Sequence, residues 1–158
     1  MITTLDDIEQ LLGVAEENVH LDFKRGAALN DLTNNNTKLE IVRDVTAFAN
    51  AGGGTLVYGV AEQLTAARSV ASALDPVTNV QITRDRLANI ISSNSEPPLT
   101  AFQVLIIPVP SGGCIVVIEV TAASTAHQNR ADLRYYRRVD ASNKPMLDFE
   151  IRDVMGLK

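Results

Sequence analysis

The sequence has little cysteine, little histidine and no long hydrophobic run. Its single cysteine, Cys114, excludes an internal disulfide and a metal site built only from cysteines. The two histidines, His20 and His127, are far apart in the sequence and show no His-x3-His spacing, which argues against a zinc site. No Gly-x-Ser-x-Gly motif is present, so nothing supports a serine hydrolase of that type.

The sequence also shows no pattern typical of a targeting segment or a membrane span. The N-terminus lacks the basic and apolar regions of a signal peptide, and no run reaches the length of a membrane span. We therefore expect a cytoplasmic protein with no membrane partner. With 158 residues, of which 46% are hydrophobic, residues 1–158 are expected to form one domain around their own core.

The net charge of −5 argues against a uniformly basic surface of the kind that non-specific nucleic-acid binders use. The charge is unevenly distributed, however. Residues 130–144 hold five basic residues against two acidic ones, a local net charge of +3. The distribution predicts a polarised surface.

Apolar spacing and breaker residues predict an alternating order of elements. The predicted elements are helix 4–16, strand 19–24, helix 37–50, strand 55–60, helix 84–93, strands 101–109 and 114–121, strand 133–139 and helix 148–155. Residues 61–81 are expected to be rich in loops. A β-α-β-α-β-β core with an N-terminal helix and a C-terminal strand and helix predicts an α/β (α+β) fold, a mixed sheet with helices packed on it.

Three glycines, Gly52, Gly53 and Gly54, separate the second predicted helix from the next strand. They resemble a phosphate loop only superficially, because they follow a helix C-terminus, whereas anion sites use a helix N-terminus. We interpret them as a helix stop. The same helix is expected to open with a capping box from Thr37 to Glu40.

A carboxylate and a lysine two residues apart, Asp22 and Lys24, share one face of the first predicted strand. Metal-dependent nucleases combine such groups, and Glu17 is a further oxygen ligand if the chain turns at Asn18. Oxygen ligands suit magnesium and manganese. The simpler interpretation is a solvent-exposed strand face with a weak ion pair.

Arginine and tyrosine alternate along the last predicted strand. We expect this strand to be exposed, with its arginines hydrogen-bonding to phosphates and tyrosine stacking on a base. The alternative is an edge strand with half-buried tyrosines and solvated arginines. The candidate nucleic-acid contacts are Arg134, Tyr136, Arg137, Arg138 and Lys144.

Three segments together resemble the Schlafen-type AlbA-like DNA-binding domain family. They are residues 20–24 (HLDFK), residues 45–60 (VTAFANAGGGTLVYGV), and residues 134–139 (RYYRRV) followed by 142–146 (SNKPM). The resemblance spans about residues 15–155. Ala61 stands where members often carry an acid, and Asp140 replaces a glycine.

The resemblance implies an AlbA-like fold and binding of DNA or RNA, in bacterial members as part of transcriptional regulators. Certain animal Schlafen members are endoribonucleases that use two carboxylates five residues apart and a third after the Gly-Val strand. The first two positions correspond to Glu17 and Asp22, and Glu62 is the carboxylate nearest to the third.

Three functions therefore remain open. The first is a nucleic-acid-binding module without catalysis. The second is a divalent-metal-dependent endoribonuclease with catalytic Glu17, Asp22 and Lys24 and with magnesium or manganese held by Glu17, Asp22 and Glu62. It ranks second because Ala61 is not an acid. The third, favoured by the net charge of −5, is a protein-interaction or homodimerisation module without nucleic-acid contact.

Overall fold

A computed structural model of the chain describes residues 1–66 and 68–156. The helices and strands, in chain order, are α1 (Leu5–Glu9), β1 (Leu21–Lys24), α2 (Asn35–Ala51), β2 (Gly54–Tyr58), β3 (Val60–Thr65), β4 (Arg68–Leu74), α3 (Arg84–Ser93), β5 (Ser95–Glu96), β6 (Phe102–Pro108), β7 (Cys114–Val120), β8 (Gln128–Asn129), β9 (Arg134–Val139), β10 (Ser142–Pro145) and α4 (Asp148–Met155). Within the described ranges, no helix is both long enough and apolar enough to cross a bilayer.

The main sheet has the strand order β1-β2-β7-β6. β1 runs parallel to β2, whereas β2 with β7 and β7 with β6 are antiparallel pairs. A parallel pair needs a crossover connection, and α2 supplies it. This confirms the predicted α/β (α+β) fold with a mixed sheet and packed helices.

Apolar residues cover both faces of the main sheet. Along β2, Leu56 belongs to the cluster beneath α2, and Val57 belongs to the cluster on the opposite face with Phe23 and Ile8. Asp22 pairs in register with Leu56, so its side chain lies on the α2 side. The carboxylate of Asp22 therefore lies in the buried layer between the main sheet and α2.

α2 begins two residues before the predicted start. The side chain of Asn34 accepts hydrogen bonds from the backbone N–H groups of Asn36 at 2.8 Å and Thr37 at 3.1 Å, so the capping box predicted at Thr37 is wrong. The predicted glycine stop is confirmed. Gly52 ends the helix with φ 121°, and a Cβ on Gly53 would lie 2.6 Å from the Val120 carbonyl oxygen.

The N-terminal helix is shorter than predicted and ends at Glu9. Gly13 adopts a φ of 77°, and its N–H donates to the Ala71 carbonyl oxygen at 2.6 Å. A long-range backbone bond thus draws the chain away from the helix and toward β4.

The prediction of a loop-rich segment at 61–81 is also wrong in its first half. β3 and β4 pair as an antiparallel hairpin in a sheet of their own. Exposed polar residues such as Gln63 and Thr65 break the regular alternation of apolar and polar residues that is typical of a strand. The sequence of this segment therefore resembles that of a loop. Pairing between the two strands, not local preference, makes them extended.

A further sheet, β10-β9-β8-β5, packs through β9 against α2, which therefore lies between two sheets. β10 was not predicted, and it pairs Lys144 with Arg137 across the strands. The predictions of α3 with its Thr83 cap, of the β6–β7 hairpin and of the closing helix α4 are confirmed.

Candidate functional site

Asp22 lies in the interior between β1 and α2. Lys24 Nζ is 3.3 Å from Asp22 Oδ2, so the two side chains share a face as their spacing predicts. The interpretation of this face as solvent-exposed is wrong for Asp22, which is fully buried, while Lys24 stays partly exposed. A buried carboxylate needs compensating charge, and Lys24 provides part of it.

Arg138 of β9 reaches the same carboxylate from the other side. Its Nη1 lies 3.6 Å from Asp22 Oδ2, and its Nε and Nη2 donate to the carbonyl oxygens of Asn18 and Leu21, each at 3.2 Å. The guanidinium also lies 5.0 Å from the centre of the Phe48 ring. With an exposure of 2%, Arg138 is too deeply buried to contact nucleic acid, contrary to prediction.

A turn at Asn18, which the sequence predicts as the condition for Glu17 to reach Asp22, brings Glu17 toward the buried charges of Asp22, Lys24 and Arg138. The backbones of Asn18 and Leu21 exchange hydrogen bonds of 3.0 and 3.3 Å, which reverses the chain before β1. Glu17 Oε1 then accepts a hydrogen bond from the Phe23 N–H at 3.0 Å. The turn brings the Glu17 carboxyl group beside that of Asp22.

Burial is the largest of several effects that together raise the pKa of Glu17 to about 9; the others are hydrogen bonding to Asp22, the negative charge of Asp22 and hydrogen bonding to Glu62. The Phe23 N–H opposes this shift. Glu17 therefore keeps its proton at neutral pH. The same interactions show that Glu17, Asp22 and Glu62 are neighbours, with Glu62 on β3 next to the non-acidic Ala61.

The three carboxyl groups, as placed, do not form a metal-binding group. Within residues 1–66 and 68–156, no set of three or more His, Cys, Asp or Glu side chains is arranged to hold a metal ion. Lys24 and Arg138 already lie at Asp22 Oδ2, where they compensate its charge. A magnesium or manganese site at Glu17, Asp22 and Glu62 stays a prediction.

Asp44 of α2 is a second buried carboxylate, and sequence reasoning missed it. Its Oδ1 accepts hydrogen bonds from Asn143 Nδ2 at 2.6 Å and Arg43 Nε at 3.3 Å. Burial raises the pKa of Asp44 to about 6, against the lowering effect of Lys24 and Arg43. The sequence did contain a signal for a buried carboxylate, because Asp44 interrupts the apolar stripe of the helix next to Val45.

The predicted basic strand is only partly exposed. Arg134 and Lys144 are exposed, and Arg137 is partly exposed with its Nη1 2.9 Å from Glu150 Oε1. The predicted exposure of the strand is therefore confirmed for Arg134, holds in part for Arg137 and is wrong for Arg138, while Lys144 lies on the neighbouring strand β10. β9 places alternate side chains on α2 and outside the sheet, and Arg138 falls on the α2 side.

Tyr136 also lies on the inner side, with an exposure of 7%, so its ring is not free to stack on a base. Its hydroxyl donates to the Asp132 carboxylate, and burial raises its pKa. Asn50 fixes the same region, because its Nδ2 donates to the carbonyl oxygens of Tyr136 at 2.8 Å and His127 at 3.0 Å. The asparagine of the Ala-Phe-Ala-Asn segment thus joins α2 to β9.

The residues that make these buried contacts all lie in one segment that matches a known protein family. The sequence profile of the Schlafen AlbA_2 family matches residues 17–147. The chain belongs to this family. The match covers every strand from β1 to β10 and stops before α4, so the resemblance found in the sequence is confirmed.

Two solved structures share the fold of this chain at low sequence identity. The DIP2311 protein of Corynebacterium diphtheriae is 22% identical, with a TM-score of 0.56 over 88% of this chain. This chain spans only 29% of the length of that protein. The N-terminal domain of a RecG-related protein of Nitrosomonas europaea, named for an ATP-dependent DNA helicase, is 16% identical with a TM-score of 0.51, covering 93% of this chain and 95% of that one. No curated protein matches the chain in sequence.

Proposed function

We propose that this Schlafen AlbA_2 domain binds nucleic acid through the exposed part of β9 and β10, with Arg134, Arg137 and Lys144 contacting phosphates. The observation that carries the proposal is the cross-strand pairing of Arg137 with Lys144. It places two cations side by side at a hairpin. Arg134 is exposed at the start of the same strand, on the face opposite to Arg137. Phosphate contacts of this kind position nucleic acid without reading its sequence.

Two comparisons support a nucleic-acid function. The family resemblance implies nucleic-acid binding, and the RecG-related protein that shares the fold is named for a DNA helicase. Glu150 pairs with Arg137, but a partly exposed ion pair is weak and exchanges readily for a phosphate. The resemblance implies that the domain is part of a transcriptional regulator, and the sequence patterns suggest a cytoplasmic one.

The test is fluorescence anisotropy with single-stranded DNA, duplex DNA and structured RNA over a range of salt concentrations. The double variant Arg134→Ala/Lys144→Ala is expected to bind more weakly and to flatten the slope of log K against log salt by about one unit per lost contact. Arg68→Ala, on the β3–β4 hairpin, is the matched control because it removes one exposed arginine from another sheet.

Two outcomes contradict the proposal. Unchanged affinity in the double variant excludes this surface. A wild-type chain that binds none of the three nucleic acids favours the third function, a protein-interaction or homodimerisation module.

The second candidate function is an endoribonuclease. It is favoured by the convergence of Glu17, Asp22 and Glu62, with Lys24 at 3.3 Å from Asp22. If the three carboxyl groups rearranged to bind magnesium or manganese, Glu17, Asp22 and Glu62 would hold the ion, the ion would supply electrophilic activation, and Lys24 would stabilise charge developing on the phosphate.

A further inference from the structure

A small polar pocket opens beside the buried charges, between α2 and strands β1 and β2. Its volume is about 160 Å³. At roughly 30 Å³ per molecule, this is room for about five waters, which is the scale of a single ring system. The polar residues that line it are Lys24, Thr37, Glu40, Arg43, Asp44 and Tyr58.

Tyr58 contributes a hydroxyl that is buried without a partner. The residue is 2% exposed, and within the described chain its hydroxyl has no hydrogen-bond partner. Buried hydroxyl groups are nearly always satisfied, so an unmatched one at a pocket points to a ligand or an internal water. Burial raises the pKa of Tyr58 well above its usual value, so this hydroxyl is a neutral donor.

The other groups offer both donors and acceptors with little net charge. Lys24 and Arg43 carry positive charge, and Glu40 and Asp44 carry negative charge. This balance favours neither a phosphate nor a cation. Both hydrogen bonds to Asp44 reach Oδ1, which leaves Oδ2 as an acceptor. The pocket therefore suits a neutral ligand that presents a donor beside acceptors.

We propose that this pocket receives one unpaired nucleobase carrying an amino group beside ring acceptors, as cytosine and adenine do. The proposal rests on the nucleic-acid function above and specifies which part of the bound nucleic acid the pocket recognises. Asp44 accepts from the amino group, while Tyr58 and Lys24 donate to the ring acceptors. Single-stranded segments present such bases splayed out, and proteins read them by hydrogen bonds to their edges.

The experiment is an NMR titration of the ¹⁵N-labelled chain with cytidine, adenosine and uridine. Cytidine or adenosine, or both, are expected to shift amide signals of the pocket segments in α2 and β2 saturably, and uridine more weakly. The separate cytidine and adenosine arms identify which base is accepted. Absence of saturable shifts with all three nucleosides overturns the proposal and leaves an internal water as the partner of Tyr58.

Tyr58→Phe is the decisive variant, because it deletes only a hydroxyl that has no hydrogen-bond partner among the described residues. We expect it to keep the melting temperature of the wild type and to weaken nucleoside binding by roughly fivefold to tenfold. Tyr135→Phe removes a hydroxyl from β9, outside the pocket, and is expected to bind as the wild type does. Equal affinity of Tyr58→Phe and the wild type overturns the proposal.

The two proposals fail separately. If nucleosides bind at Tyr58 and no oligonucleotide binds, the nucleic-acid function fails and the pocket assignment stands as a nucleoside site. If oligonucleotides bind through Arg134 and Lys144 while Tyr58→Phe alters neither measurement, the pocket proposal alone is overturned.

Discussion

The Arg138 guanidinium lies 3.6 Å from the Asp22 carboxylate, and both side chains are only 2% exposed. The pair joins β9 of one sheet to β1 of the other across the end of α2. Each charge is tolerated in the interior because the other is present. Arg138 therefore holds the two layers together and positions the residues around Asp22.

Replacing Arg138 with methionine should leave Asp22 buried with only Lys24 to compensate its charge. We expect the free energy of unfolding to fall by about 3–5 kcal/mol, measured by urea denaturation. Arg134→Met, at an exposed position of the same strand, should change it by no more than about 0.5 kcal/mol. Similar small losses in both variants would show that the buried pair does not hold the sheets together.

The stability of the domain should depend on pH through Asp44. Its pKa is raised in the fold from 3.8 to about 6, so its stabilising contribution is complete below about pH 4 and is lost as the pH rises through 6. Asp44→Asn cannot ionise. Between pH 4 and 7 the wild type should lose on the order of 3 kcal/mol relative to this variant. Parallel stability curves, from urea unfolding at each pH, would contradict a raised pKa.

The glycine stop after α2 should resist substitution because of its surroundings as well as its backbone angle. In Gly53→Ala the new Cβ would meet the Val120 carbonyl oxygen at 2.6 Å, and φ is 86°. Gly13 has a similar φ of 77° and open space around it. We expect Gly13→Ala to lose about 1–2 kcal/mol and Gly53→Ala clearly more, as measured by thermal unfolding. Equal losses would assign the whole effect to φ.

Cleavage of structured RNA in the presence of manganese tests the ribonuclease candidate. If Glu17 is a metal ligand, Glu17→Gln should abolish most cleavage and preserve binding. Glu16→Gln is the matched control, because the Glu16 carboxylate pairs with Arg68 near the surface. Asp22→Asn should have the same effect, but it also disturbs Arg138. A wild-type chain that cuts nothing, or a Glu17→Gln variant that cuts equally well, rejects the candidate.

Local signals were sufficient for much of the fold. Apolar periodicity and the Thr83 cap predicted α3, apolar runs around glycines predicted the β6–β7 hairpin, and glycine predicted the end of α2. These signals depend on neighbours a few residues apart. The β3–β4 hairpin and β10 were missed because polar segments become strands only by pairing with a partner.

By itself the sequence determined the bounds of α3, the glycine stop of α2, the turn at Asn18 and the shared face of Asp22 and Lys24, because backbone geometry sets these over a few residues. Only the tertiary structure decided which charges are buried. Arg138 and Arg137 are adjacent in sequence, yet β9 sends one into the core beneath α2 and leaves the other near solvent. The raised pKa values of Glu17 and Asp44 depend equally on distant elements, because burial by those elements removes the water that would stabilise each charge.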